Sequence, residues 1–186
     1  MVPLGSLWLP IVVSAVLVFV ASSVIHMVLG YHRTDMRPVP DEEATQEALG
    51  RLGIGPGDFA VPCATRSQDM KSPAFLERMA KGPIVFMTVL PGGHSFMGAS
   101  LAQWFVYCLV VSVFAGYLAG RALPPGSNYL DVFRFAGTTA FACYAMALPQ
   151  ASIWFKRSWA TTAKSMLDGL VYGSLTAGAF GWLWPR

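Results

Sequence analysis

The chain has 186 residues, of which 54% are hydrophobic and only 12% are charged, and its mean hydropathy is +0.50. Soluble domains carry about 25% charged residues, so this composition excludes a typical soluble protein and indicates one solvated largely by lipid. The 13 Lys and Arg side chains leave a formal net charge of +3 and are scattered singly or in pairs, which argues against a nucleic-acid-binding surface.

The first apolar stretch runs from Leu7 to Gly30 and contains one titratable side chain, His26. About 20 apolar residues are enough to cross a bilayer, so this stretch predicts a transmembrane helix. No Lys or Arg precedes it, and it is longer than the apolar core of about 7–15 residues in a signal peptide. We therefore expect residues 1–30 to be a retained membrane anchor.

Residues 31–98 form a polar segment that is interrupted repeatedly by Pro and Gly. Its residue pattern predicts a helix over 42–52, a strand over 57–61, a second helix over 73–81 and a second strand over 83–90. The eight apolar residues of the last stretch are too few to span a membrane. We predict a small αβαβ insertion, whose two-stranded sheet would be marginally stable alone.

Three further apolar stretches follow, at 101–123, 130–155 and 159–184, and each is long enough to be a transmembrane helix. The first two are separated by the turn sequence PPGSN. The predicted fold is therefore an all-α transmembrane four-helix bundle with the αβαβ insertion between helices 1 and 2. Its predicted segments are 1–30, 31–98 and 99–186.

Positive charges near the ends of the predicted spans indicate how the chain crosses the membrane. They concentrate in the polar segment and at the corner before the last span, whereas Arg121 alone lies close to the PPGSN turn. The charge-rich side contains Arg33, Arg37, Arg78, Lys81, Lys156 and Arg157. By the positive-inside rule, residues 31–98 are cytoplasmic and both termini lie on the opposite side.

Small residues recur on two of the predicted helices. Small side chains let membrane helices approach closely, and this contact is the main source of their association. We predict a tight contact between the second and fourth spans, within the protein or between copies. The residues concerned are Gly116 and Gly120 in the second span and Ser165, Gly169, Gly173, Ala177 and Gly181 in the fourth.

Ionisable groups within a membrane are costly and suggest function. Asp168 lies about 13 Å along the fourth span, Lys164 is one turn earlier, and His26 is near the end of the first span. Depth alone allows these three to form an intramembrane polar cluster with Gln103 and Gln150. Such a cluster could relay protons or hold a cation, or it could be only a neutralised Lys164–Asp168 ion pair.

Other chemical signals are weak. Asp131 and Arg134 are spaced as a helical ion pair. A haem needs two facing histidines and only His26 lies in a span, while no ligand spacing supports a soft-metal site near His94 and the methionines. Hydrolase and phosphate-loop motifs are missing. We therefore predict no catalytic residue, no metal and no cofactor.

Two segments, SSVIHMVLGYHRTDMRPVPDEEA and LAQWFVYCLVVSVFAGYLAGR, resemble a group of uncharacterised bacterial inner-membrane proteins. The likeness extends over most of the chain. It implies a protein of the bacterial cytoplasmic membrane and implies no activity. In that membrane, the multi-pass arrangement and the positive-inside rule place both termini in the periplasm.

The leading functional hypothesis is an accessory, assembly or structural subunit that contacts the lipid bilayer and either another copy or a larger membrane complex. The alternative is a small oligomeric proton-linked transporter or channel that uses Asp168 and His26. A third possibility is a membrane enzyme acting on lipid or quinone through His32, His94, Glu42 and Glu43.

Overall fold

A computed structural model describes residues 1–93 and 97–186, and it divides into two compact units. One unit contains Met1–Met36 and Phe96–Arg186, and the other contains Arg37–Ser95. The chain is 69% helical with one small two-stranded sheet, which confirms the predicted helical class. Residues 31–36, which the sequence analysis assigned to the polar segment, belong to the helical unit.

The helical unit contains five α-helices. They are α1 (Trp8–Val24), α4 (Met97–Ala122), α5 (Tyr129–Ala145), α6 (Pro149–Phe155) and α7 (Trp159–Trp182). The polar unit contains α2 (Glu42–Arg51), β1 (Gly57–Val61), α3 (Pro73–Lys81) and β2 (Val85–Val89).

Within residues 1–93 and 97–186, two helices are long and apolar enough to cross a membrane. One is the continuous helical stretch Leu4–Leu29, in which a short 3-10 turn precedes α1 and a π-helical turn, Ile25–Leu29, follows it. The other is α4, with 26 residues. These two stretches suggest membrane association, and they coincide with the first and second predicted spans.

The third predicted span is not one helix, which corrects the expectation of a continuous helix over 130–155. α5 ends at Ala145, three turn residues follow, and α6 begins at Pro149. Proline has no backbone N–H, so Pro149 cannot donate a helical hydrogen bond to the carbonyl of Ala145, which accepts one from Leu148 instead (3.1 Å). The apolar composition obscured this break because hydropathy carries no information about helix continuity.

The four longest helices form a closed ring of neighbours. α1 packs against α4 and α7, and α5 packs against the same two helices. Val2 donates a backbone hydrogen bond to Gly120 (2.8 Å), and Gly126 donates one to Pro185 (2.9 Å). Both chain termini therefore lie at the end of the bundle that carries the α4–α5 turn.

Within one copy, the small residues of α7 pack against α5 and not α4, which corrects the pairing predicted inside the protein. The predicted contact between copies stays a prediction. A Cβ added to Gly169 would lie 2.8 Å from the Cβ of Ala145, and one added to Gly173 would lie 3.1 Å from that of Phe141. α7 and α5 therefore approach as closely as their backbones allow. Ala177 lies on the same face and Gly181 meets the ring of Tyr129, whereas Ser165 lines a cavity described below.

The glycines of α4 have different neighbours. Gly116 lies under the ring of Phe180 in α7 and near Ile11 of α1, and Gly120 contacts the backbone of Val2. A Cβ at Gly120 would lie only 2.7 Å from the Val2 carbonyl oxygen. This glycine therefore lets the N-terminal segment cross the end of α4.

The polar unit follows the predicted order of elements. The Asp41 carboxylate accepts a hydrogen bond from the backbone of Ala44 (2.9 Å), and the Ser72 hydroxyl accepts one from Phe75 (3.3 Å), so each caps the helix that follows. β1 and β2 pair antiparallel, with Phe59 opposite Met87. Among the described residues of this unit, Phe75 alone is buried.

Candidate functional site

The site is built where the chain leaves the first long helix. The π-helical turn Ile25–Leu29 contains His26 and ends at Gly30, which has φ of 67°. A left-handed residue of this kind ends a helix and is adopted most easily by glycine. The next residues, Tyr31–Thr34, form a 3-10 turn whose side chains meet the first turns of α7.

Asp168 is the centre of this contact. It is only 3% exposed, and its two carboxylate oxygens contact different residues of the 3-10 turn. The Tyr31 hydroxyl donates to Oδ1, and Nε2 of His32 lies 2.8 Å from Oδ2. The buried carboxylate therefore has polar partners, as a charge removed from water requires.

A second carboxylate and an ammonium group extend the network. Nδ1 of His32 lies 2.6 Å from Oδ2 of Asp35, and Oδ1 of Asp35 accepts a hydrogen bond from Lys164 (2.9 Å). Lys164 also donates to the Tyr31 carbonyl (2.7 Å) and the Thr34 hydroxyl (3.0 Å). Lys164 thus holds the 3-10 turn against α7.

His26 completes the cluster from the exposed side. Its ring stacks on that of His32 with the centroids 4.4 Å apart and the planes 6° from parallel. Nδ1 of His26 lies 3.0 Å from the carbonyl oxygen of Ser22. One ring nitrogen of each histidine and one carboxylate oxygen of Asp168 all lie within 4.8 Å of one another.

Two groups outside the long apolar helices have shifted ionisation. Hydrogen bonds from His32 and Lys164 hold the pKa of the Asp35 carboxyl below its usual value. Burial, helped by the hydrogen bond to Asp168 and its charge, raises the pKa of Tyr31 to about 12. Tyr31 is therefore a protonated donor to Asp168 at neutral pH.

A cavity of about 550 Å³ opens beside this cluster. His26 and Asp168 line one part of it, and aromatic rings of Trp104, Tyr144 and Tyr172 line another. The indole of Trp104 donates to the Ser22 hydroxyl (2.7 Å), which holds α4 against α1. The cavity volume falls within the range of about 300–1,000 Å³ that is typical of small-molecule sites.

Two hydroxyls in the cavity wall have no hydrogen-bond partner among the described residues. They belong to Tyr144 and Tyr172, whose side chains are 7% and 4% exposed. A buried hydroxyl without a partner costs free energy that a bound polar molecule would recover. This wall is therefore suited to a ligand or water that carries hydrogen-bonding atoms.

The structure brings together three residues of the predicted polar cluster, namely His26, Lys164 and Asp168. Lys164 pairs with Asp35 and not with Asp168. Gln103 and Gln150 are exposed, and the hydrogen bonds of the network described here do not include them.

Sequence reasoning missed the contribution of the residues after the first helix. Tyr31, His32 and Asp35 were assigned to the polar segment, and only the Gly30 turn brings them to α7. The dense polar sequence directly after an apolar helix was the available signal. His94 lies outside the described residues, and Asp131 and Arg134 form an exposed pair 3.8 Å apart.

No family model, curated protein or solved structure matches this chain.

Proposed function

We propose that the chain is a small oligomeric transporter or channel for cations in a bacterial inner membrane, with Asp168 and His26 at its ion-binding site. It would cross the membrane four times, with both termini periplasmic and the polar unit cytoplasmic. The observation that carries the proposal is the convergence of a buried carboxylate and two imidazoles in the helical unit, where the carboxylate of Asp168 and the imidazole of His26 line a cavity.

Charge supports a cationic substrate. The two ionised carboxylates of the network, Asp35 and Asp168, face one ammonium group, that of Lys164. Lys164 pairs with Asp35, so the partners of the Asp168 carboxylate in this network are Tyr31 and His32. A bound cation compensates such a charge in surroundings where water does so poorly.

The arrangement of the helices supports function as an oligomer. Four helices are few to enclose a polar pathway across the membrane within one copy. In addition, α4 exposes large apolar side chains such as Val106, Val110 and Phe114. These side chains can meet lipid or another copy.

The test is cation flux into vesicles reconstituted with the purified protein, measured with trapped indicators for protons and for zinc. We expect Asp168→Asn to lower the flux at least about tenfold, since it removes the buried charge while preserving the shape of the side chain. The matched control is Asp131→Asn. Asp131 is an exposed carboxylate of α5 that pairs with Arg134 and does not belong to the Asp168 network. Equal flux through wild type and Asp168→Asn would refute the proposal.

The second candidate function is an accessory or assembly subunit of a membrane complex, and the polar unit favours it. Phe75 is the sole buried residue among the described part of that unit, and Leu76, Ile84 and Phe86 are about half exposed. A unit of this size needs a larger core or a partner to be stable. This candidate predicts that Asp168→Asn leaves vesicle flux unchanged.

A further inference from the structure

The side chains of His26, His32 and Asp168 have the composition of a metal centre. His26, His32 and Asp168 supply two imidazole nitrogens and one carboxylate oxygen, all within 4.8 Å of one another. Catalytic zinc sites use three protein ligands of this kind and leave a fourth position to water or substrate, and two histidines with one carboxylate also bind non-haem iron. A sequence search for close spacing could not find this set, because Asp168 is 136 residues from His32.

Each histidine has an acceptor near Nδ1, which leaves Nε2 as the candidate metal ligand. Nδ1 of His26 faces the Ser22 carbonyl and Nδ1 of His32 faces the Asp35 carboxylate. The rings are stacked nearly parallel, so one of them must turn before both Nε2 lone pairs reach the same ion. Metal-binding histidines almost always donate their second N–H to a carbonyl or carboxylate in this way.

The contact between His32 and Asp168 itself calls for a positive species. If the N–H of His32 is at Nδ1, the lone pair of Nε2 faces a carboxylate oxygen only 2.8 Å away. Two electron-rich atoms at this distance repel each other unless a proton or a metal ion lies between them. A proton makes the ring an imidazolium, and a metal ion uses both atoms as ligands.

A metal ion requires a small change in this contact. Ligand atoms around a tetrahedral zinc ion are separated by about 3.3 Å, so Nε2 of His32 and Oδ2 of Asp168 need to move apart by about half an ångström. His26 is exposed and lies on a π-helical turn. Such turns occur frequently at functional sites.

The cavity supplies the remaining coordination position. His26 and Asp168 both line it, so a water molecule or a substrate atom in the cavity can reach an ion held between them. The unpartnered hydroxyl of Tyr172 lies in the same wall and can hydrogen-bond that fourth ligand.

We propose that His26, His32 and Asp168 bind one divalent first-row transition-metal ion, with Asp35 and the Ser22 carbonyl as outer partners of the two histidines. The proposal rests on the function proposed above, for which it names the cation class. Lys164 does not ligate the ion and holds Asp35 in position.

The test uses the full-length protein in detergent, purified without a polyhistidine tag and with Cys63→Ser to remove an exposed thiol. After chelation and desalting, the protein is titrated with Zn²⁺ by calorimetry and with Co²⁺ by visible absorption. We expect one ion per chain and the ligand-field bands of a nitrogen and oxygen site. A binding ratio well below one, or no cobalt spectrum, overturns the proposal.

Variants separate ligands from structural groups. His26→Gln should weaken Zn²⁺ binding more than about tenfold. Because His26 is exposed, we expect this variant to fold as the wild type does, so weaker binding would report the loss of a ligand. Asp35→Asn should weaken binding about 10–100-fold, as outer partners do. Asp131→Asn is the control and should bind as wild type. Unchanged binding in both His26→Gln and Asp168→Asn refutes the site.

The proposed metal site and the proposed transport function can therefore be refuted independently of each other. Stoichiometric Zn²⁺ binding with neither zinc nor proton flux into vesicles supports the metal site and refutes the carrier. Flux of protons that depends on Asp168, in a protein that binds no Zn²⁺ or Co²⁺, supports the carrier and refutes the metal site.

Discussion

At the scale of single residues, the site depends on side chains that each satisfy several partners. Lys164 donates to a backbone carbonyl, a hydroxyl and a carboxylate, all in residues 31–35. His32 joins two carboxylates through its two ring nitrogens. Because the partners of Lys164 come from one short turn, this single side chain controls how that turn meets α7.

Replacing Lys164 by methionine tests this role. Lys164→Met keeps the length and apolar stem of the side chain but leaves Asp35 and the Tyr31 carbonyl without their donor. Loss of hydrogen bonds to a charged group typically costs about 1.5–3 kcal/mol. We expect a loss of this order in the free energy of unfolding in detergent, measured by chemical denaturation, together with faster proteolysis between residues 30 and 36.

Lys156→Met is the control for this substitution. Lys156 is exposed and follows the last residue of α6, and among the described residues its ammonium group bonds the carbonyl of Ile153 in that helix. Its removal should change the free energy of unfolding by less than about 0.5 kcal/mol, as is usual for surface positions. A Lys164→Met protein as stable as the Lys156→Met protein would contradict the anchoring role.

At the scale of elements, the closest helix pair is α5 with α7, and its closeness depends on the absence of side chains. A Cβ built on Gly137 of α5 lies 2.7 Å from the Cβ of Ala177 in α7, a separation that real atoms do not reach. The pair is held further at the ends, where the rings of Tyr144 and Tyr172 meet edge to face 5.4 Å apart. Their packing forms part of the cavity wall.

Gly137→Ala should therefore destabilise the helical unit although alanine is the better helix former. Overpacking of this kind costs about 1–3 kcal/mol, against a gain of about 0.8–1 kcal/mol in helix propensity. We expect a lower unfolding midpoint in detergent, measured by circular dichroism. In the control, Gly178→Ala, the new Cβ meets only the Tyr129 hydroxyl at 3.8 Å, and the midpoint should stay equal or rise. The opposite order of the two midpoints would mean that α5 and α7 are not in close contact.

At the scale of the whole molecule, the helical unit has two chemically different ends. Both chain termini and the α4–α5 turn are at one end, where Trp184 donates to the Pro124 carbonyl (3.0 Å). The polar network lies where the first long helix ends and α7 begins. This arrangement suits the proposed crossing of the membrane, in which the positive charges and the metal-binding groups are on the cytoplasmic side.

Cysteine labelling tests that orientation. Cys63 is exposed in the polar unit, and Ser127→Cys places a thiol in the α4–α5 turn. In intact cells, a membrane-impermeant maleimide should modify the thiol at position 127 and not Cys63, and both should react after the membrane is opened. The background for both proteins has Cys108 and Cys143 replaced. Labelling of Cys63 in intact cells would reverse the orientation derived from the positive-inside rule.

The sequence by itself determined the local elements of this protein. Local signals act within a few residues, so they can be recognised in the sequence. Helix caps such as Asp41 and Ser72, with nearby glycines and prolines, predicted the helices and strands of the polar unit. Long apolar stretches predicted the first two long helices. Pro149 also carried local information, but the apolar stretch around it concealed the break between α5 and α6.

Only the tertiary structure decided which elements meet. Periodic small residues show that a helix face can pack closely but not which helix covers it, so the partner of α7 was predicted as α4 and is α5. The polar site likewise joins Tyr31, His32 and Asp35 to Lys164 and Asp168 across more than 120 residues. Contacts at such separations depend on the direction in which the chain leaves Gly30, and no periodicity or spacing in the sequence records that direction.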